Sequence, residues 1–199
     1  MSVLPTALLI AGSPSEPSRS AALLDAVSLR LARKGGLNVV RLNVRDLPAE
    51  ALLLAQWDHP AIVNALAQVA QARAIVVATP VYKAAYSGVL KAFLDLLPQT
   101  ALKDKTVLPL ATGGSPHHML ALDYALRPVL QSLSARHILP GVYATDAQIA
   151  RSPEGLYTPA ADIASRLDDA VATLLAEGFR LPPPARFEPV LFSQVRCSV

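Results

Sequence analysis

The sequence predicts an α/β three-layer sandwich built on a five-stranded parallel sheet. Short apolar runs of strand length recur along the chain, among them TALLIA at residues 6–11 and AIVVAT at 74–79. The second is apolar without a break, as a strand buried on both faces must be. Between such runs lie stretches whose apolar residues repeat at helical spacing. Three of the runs end in loops rich in glycine, serine or proline, each ahead of a helix. Strands that alternate with helices give a parallel sheet covered on both faces.

The first strand, 6–11, runs into GSPSEPSRS and then a helix over about 20–34. Leu23, Leu24, Val27 and Leu31 share one face of that helix, and Gly35 and Gly36 stop it. The second strand, 37–43, alternates only in part, which suits a place nearer the sheet edge. A helical stretch follows from Pro60, with Ile62, Leu66 and Val69 inward. After AIVVAT a helix over about 87–97 turns Val89, Leu90, Phe93 and Leu97 inward. The fourth strand, 106–112, contains Pro109, which donates no ladder hydrogen bond and counts against an interior position. A helix over about 118–135 carries Pro128 at its middle, where a kink or bulge is expected. The fifth strand lies near 137–144, and the last helix, about 159–177, carries Ile163, Leu167, Val171 and Leu174. Right-handed crossovers then lead to the flavodoxin-like strand order 2-1-3-4-5, with ligands bound beyond the C-terminal strand ends. One domain over 1–178 is expected, followed by an extended proline-rich tail over 179–199.

Composition narrows the function classes. The 199 residues are 52% hydrophobic and 17% charged, with a mean hydropathy of +0.37, which excludes intrinsic disorder. So little polar surface suggests apolar patches covered by other subunits. A net charge of +3 with no dense Lys/Arg cluster does not suit a nucleic-acid binder. The single cysteine, Cys197, rules out a disulfide framework or a CxxC site. No run of about 18 apolar residues would make a membrane helix. The apolar run from Val3 to Ala11 lacks the preceding basic residues of a signal peptide, and a cytoplasmic protein is expected. Prolines number 17 against 9 glycines, well above the usual proline share of about 5%.

Three loops follow strands one, three and four. The first, residues 12–20, offers four hydroxyls, Arg19 and a helix N-terminus, a combination suited to a phosphate or to a plain N-capped turn. Neither GxGxxG nor GxxxxGK[ST] is present, against a dinucleotide Rossmann site and a P-loop. The second, 79–88, places Pro80, Val81, Tyr82, Lys83, Tyr86 and Ser87 past a buried strand, either bordering a flat ring or folding over the next helix. The third, 112–118, has adjacent glycines that allow close approach to the backbone. His117 and His118 are neighbours without a completing Asp, Glu or Cys cluster, so no metal site is expected. His59 and His137 are read as structural or surface residues.

AGSPSEPSRS, ATPVYKAAYSGVLKAFLDLLP and VLPLATGGSPHHMLALDYALRPVL together resemble the NADPH-dependent FMN reductases of the flavodoxin-like superfamily, nearest the branch that serves alkanesulfonate monooxygenases. The resemblance spans about 8–143, and Pro109 belongs to its LPLATGG run. It implies that Ser13, Ser18, Arg19 and Ser20 hold the FMN phosphate, with Ser15 replacing a basic residue common among relatives. Pro80, Val81, Tyr82 and Lys83 would border the ring and ribityl chain with Ser87 nearby, and Thr112, Gly113, Gly114 and Ser115 its other side. Residues 123–128 resemble a helix with a π-type bulge at a tetramer interface, Tyr124 being the matching position; a homodimer or homotetramer is implied. Hydride would pass from nicotinamide C4 to flavin N5, with no side chain required as acid or base and no catalytic residue named. Reduced FMN would then leave for a partner monooxygenase.

Two other enzyme and carrier readings stay open: an FMN-retaining quinone, azo or chromate reductase, and a flavodoxin-type electron carrier. The choice of NADH or NADPH is also open, with Arg19, Lys83 and Arg127 as candidate partners for a 2′-phosphate. Pro14, Pro80 and Pro116 fall in the three candidate loops, where fixed φ angles lower the entropy lost on ordering around a ligand. Pro80→Ala is therefore expected to raise the FMN dissociation constant measured by fluorescence quenching; an unchanged constant would refute the stiffening role.

Overall fold

Apolar strand faces decide where the helices go. The computed structural model describes residues 4–179, and the expected proline-rich tail and Cys197 lie outside them. The parallel sheet contains β1 (Thr6–Ala11), β2 (Asn38–Asn43), β3 (Ala74–Tyr82) and β5 (Thr106–Gly113). The fifth predicted strand is present as two pieces, β6 (His137–Ile138) and β7 (Val142–Thr145), both paired with β5. The order β2-β1-β3-β5-β6 is the expected 2-1-3-4-5. β2 is the edge strand, as its partial alternation predicts.

Helices α1 (Arg19–Lys34) and α6 (Ala161–Gly178) cover one face. All four predicted inward residues of each, Leu23 to Leu31 and Ile163 to Leu174, are buried there. The other face is covered by α2 (Ala49–Leu53), α3 (Pro60–Gln71), α4 (Gly88–Asp95) and α5 (Arg127–Ser132). α2 was not anticipated from sequence. His59 proves structural, since its Nδ1 caps α3 by accepting from the Ala61 N–H at 3.2 Å.

The predicted helix over 118–135 is not continuous. A 3₁₀ turn (Pro116–Met119) leads to a π-helical turn (Leu122–Leu126) and then α5. The π turn carries the Arg127 N–H back to the Leu122 carbonyl, five residues away. Pro128 has no N–H to offer a carbonyl four residues back and its ring would clash with it, so the widened turn accommodates the proline. Arg127 secures the junction: its Nε donates to Asp123 at 3.0 Å, and its terminal nitrogens to the carbonyls of Ile138 and Leu139. That leaves Arg127 committed to the fold rather than to a 2′-phosphate.

Pro109 sits in the buried β5 after all, and a bulge explains how. Thr106 and Val107 pair with His137 and Ile138, but Leu110 pairs with Val142, one residue further along. The extra residue falls opposite Pro109. The Val107 carbonyl accepts from Leu139 N at 2.9 Å, so by strand alternation the position lacking an N–H also faces the fifth strand. The ladder is interrupted where it has no donor. Gly141 completes the fit, since a Cβ there would lie 2.8 Å from Leu122 Cδ1 and 3.1 Å from the Pro109 carbonyl oxygen. Gly141→Ala is expected to cost about 2 kcal/mol of overpacking and lower Tm by roughly 4–8 °C in a thermal melt.

Candidate functional site

The three loops after β1, β3 and β5 meet at one end of the sheet because their backbones approach too closely for side chains to intervene. Gly12 N donates to the Ala78 carbonyl at 2.8 Å. A Cβ on Gly12 would lie 2.9 Å from Leu90 Cβ. Ser87 is fully buried: its hydroxyl donates to the Gly12 carbonyl and accepts from Leu90 N at 3.1 Å, capping α4. Its N–H donates to Thr79 Oγ1 at 3.0 Å. Ser87 thus braces the first loop from beneath.

The first loop closes on itself before α1. Ser13 Oγ and the Ser15 backbone exchange contacts at 3.2–3.3 Å. Glu16, ahead of a cis bond to Pro17, pairs with Arg45. Ser18 caps α1 by accepting from Ala21 N at 3.4 Å, and its hydroxyl lies 3.0 Å from that of the buried Ser20. The second loop is a tight hairpin that the sequence reading missed. β4 (Ala85–Tyr86) pairs antiparallel with the end of β3, and Lys83 and Ala84 form the turn at φ +50° and +64°. Glycine or asparagine is the usual occupant of such positions, so the sequence carried no turn signal. In the third loop Tyr143 OH donates to the Ser115 carbonyl at 2.6 Å and stands 2.8 Å from where a Gly113 Cβ would be.

Together these loops enclose an open cavity of about 260 Å³. Ser13, Ser18 and Arg19 line it from the first loop; Pro80, Val81 and Tyr82 from the end of β3; and Thr112, Gly113 and Gly114 from the end of β5. Nine of the predicted residues therefore converge. Ser20, Lys83, Ser87 and Ser115 do not line the wall. Ser20 and Ser87 lie beneath it, Lys83 is exposed at the hairpin tip, and Ser115 Oγ accepts from His117 N at 3.3 Å.

Two wall residues were not foreseen. Asp146 follows β7, and Tyr157 begins β9 (Tyr157–Pro159), which pairs with β8 (Ile149–Arg151). The Arg19 guanidinium lies 5.0 Å from the Tyr157 ring centre, and Arg151 lies 5.8 Å from the same ring. An Arg19 terminal nitrogen is 3.7 Å from Asp146 Oδ2. Arg19 Nε is buried without a hydrogen-bond partner. An orphaned guanidinium N–H beside two hydroxyls and a helix N-terminus fits a phosphate, the anion such a site is built to accept. The side-chain-free turn at Gly113 and Gly114 fits a flat ring approaching backbone. Among the described residues no group of three His, Cys, Asp or Glu side chains is placed to hold a metal ion.

Fold and site together define a flavodoxin-like protein with an open cleft at its C-terminal strand ends. Residues 5–150 match the NADPH-dependent FMN reductase family, and the chain belongs to that family. It is 48% identical to an FMN reductase (NADPH) of Pseudomonas putida, over 88% of this chain and 89% of that one. It is also 48% identical to an FMN reductase (NADPH) of Escherichia coli, over 83% and 86% of the respective chains. Among solved structures it is similar to the apo form of an NADH:FMN oxidoreductase, EMOB, with a TM-score of 0.76 and 40% identity over 85% of this chain and 87% of that one. The chain is thus an NAD(P)H-dependent FMN reductase, with FMN and a nicotinamide nucleotide as its cofactors.

Tyr143 offers a test of the third loop. Burial, and then the Asp146 charge, raise its phenol above the ordinary value. A raised folded-state pKa contributes stability that is complete below the unfolded value of about 10 and is lost as pH rises past it. Tyr143→Phe removes the hydrogen bond to Ser115. It is expected to lose about 1 kcal/mol at pH 7 by urea denaturation. Between about pH 9 and 11 its stability should fall less than that of the wild type.

Proposed function

We propose that this reductase treats FMN as a passing substrate and delivers reduced FMN to a separate FMNH2-dependent monooxygenase of sulfonate or sulfur assimilation. The observation that carries this reading is the slight grip at the phosphate end. One arginine lines the cavity there, and its guanidinium already faces Asp146. The resemblance implies a basic residue at the position that Ser15 holds in this chain.

When both nucleotides are bound, their chemistry is hydride transfer from nicotinamide C4 to flavin N5. The chain supplies orientation. Ser13, Ser18, Arg19 and the free N–H groups of α1 hold the phosphate. The backbone of Pro80, Val81 and Tyr82 and the turn of Thr112, Gly113 and Gly114 border the ring on its two sides. Ser20 and Ser87 set the first loop from below. Lys83, exposed at the hairpin tip, is a candidate partner for a phosphate of the incoming NADH or NADPH. No side chain is required to move a proton.

The reading includes a homodimer or homotetramer that uses the π turn. Tyr124 is 79% exposed there, and Met119 and Leu120 are about half exposed just before it. The π turn packs beside β4, and Tyr82, whose strand forms the cavity wall, is exposed too. A subunit laid on Tyr124 would cover apolar surface next to the flavin. Among the described residues no helix is long and apolar enough to cross a membrane, and the reading places the enzyme in the cytoplasm.

Steady-state oxidation of NADPH and NADH by catalytic protein with excess FMN tests turnover of free flavin. A yellow protein that keeps its flavin through reduction would favour a quinone, azo or chromate reductase instead. Arg19→Ala is expected to raise the FMN dissociation constant by about 10- to 100-fold, the worth of a charged hydrogen bond, and to leave riboflavin within about twofold. Equal weakening of both flavins would remove Arg19 from the phosphate.

A further inference from the structure

We infer that Asp146 sets flavin affinity by competing with the FMN phosphate for Arg19. This rests on the reading above in which Arg19 meets that phosphate. Among the described residues lining the cavity Asp146 is the one acidic side chain, and it is 47% exposed. The other carboxylate of the neighbourhood, Glu16, is taken up by Arg45. Side-chain charges on the cavity wall therefore cancel: one guanidinium and one carboxylate.

Asp146 is not needed to aim Arg19. At 3.7 Å the contact lies beyond hydrogen-bond reach, and it leaves Nε unpartnered. The guanidinium is oriented by the Tyr157 ring, which β8 and β9 hold by strand pairing and which Arg151 flanks. Nor is the Asp146 side chain needed to fold its own turn. Gln148 Oε1 accepts from Thr145 N at 2.9 Å and from Thr145 Oγ1 at 3.1 Å, securing the turn without it. What remains for the carboxylate is electrostatic. It occupies part of the field of Arg19 in the absence of flavin and repels the phosphate dianion when flavin arrives. The consequence is a reductase that orients FMN well but retains it weakly, as delivery of reduced flavin to another enzyme requires.

The test is FMN and riboflavin binding by fluorescence quenching with the full chain, comparing wild type, Asp146→Asn and Arg19→Ala. Asp146→Asn keeps the shape and removes the charge. It is expected to lower the FMN dissociation constant about two- to fivefold at low salt, as suits a partly exposed ion pair. The riboflavin constant should not move, and the gain for FMN should shrink as ionic strength rises. An unchanged or raised FMN constant in Asp146→Asn, with Arg19→Ala still selective against FMN, overturns the inference and leaves the phosphate reading intact. If Arg19→Ala weakens FMN and riboflavin alike, the phosphate reading falls and this inference falls with it. A gain shared equally by riboflavin would also overturn it, because riboflavin carries no phosphate to compete.

Discussion

Buried Ser87 joins β1, β3 and α4, which would otherwise be independent. Its hydroxyl donates to the carbonyl of Gly12, just past β1, and accepts from the first turn of α4, while its N–H is held by Thr79 within β3. Each partner is buried, so none has water as an alternative, and an unpaired group there costs about 1–3 kcal/mol. Gly12 makes the arrangement possible, because any side chain would strike Leu90. From this point the first loop, the start of α1 and the position of Arg19 all follow. The same rule operates across the cavity, where Gly113 leaves room for Tyr143 to hold the Ser115 carbonyl.

Much of the fold was legible because the strongest signals are local and periodic. The inward faces of α1 and α6 were read residue by residue, and the strand order followed from alternation and handedness. What escaped was structure that only tertiary contact stabilises. The β3–β4 hairpin turns on Lys83 and Ala84, whose types disguise a positive φ. The β8–β9 hairpin has three residues in each strand, too short for periodicity to register. Pro109 and Pro128 both gave honest warnings of irregularity, but each was resolved by a partner element. The bulge opposite Pro109 and the π turn ahead of Pro128 are features of pairs of segments, and one segment's sequence does not contain them.

The candidate site divides along the same line. Residues in the three strand-end loops converge because the topology brings any such loops together. Ser20 and Ser87 belong to the right loops yet serve beneath the wall, a distinction of depth that residue type alone does not carry. Asp146 and Tyr157 reach Arg19 from a distant part of the chain, after the last of the three strand-end loops. Their importance is spatial: a carboxylate near a guanidinium and a ring beneath it.

Orientation and affinity are consequently supplied by different parts of the molecule. The ring side of the cleft is backbone, fixed by glycines without room for a side chain, by a buried hydroxyl and by a strained hairpin turn. Such a surface is preorganised and costs little to order around a flat ligand. The side proposed for the phosphate is made of half-exposed charge, whose strength salt would screen and a single carboxylate would offset. Hydride transfer demands alignment of two rings, which the rigid side provides whatever the residence time of the flavin. On the proposed reading, residence time depends on the charged side, where one residue would alter it without disturbing alignment. A site built this way can vary between holding its flavin and giving it up while its ring-binding floor stays the same.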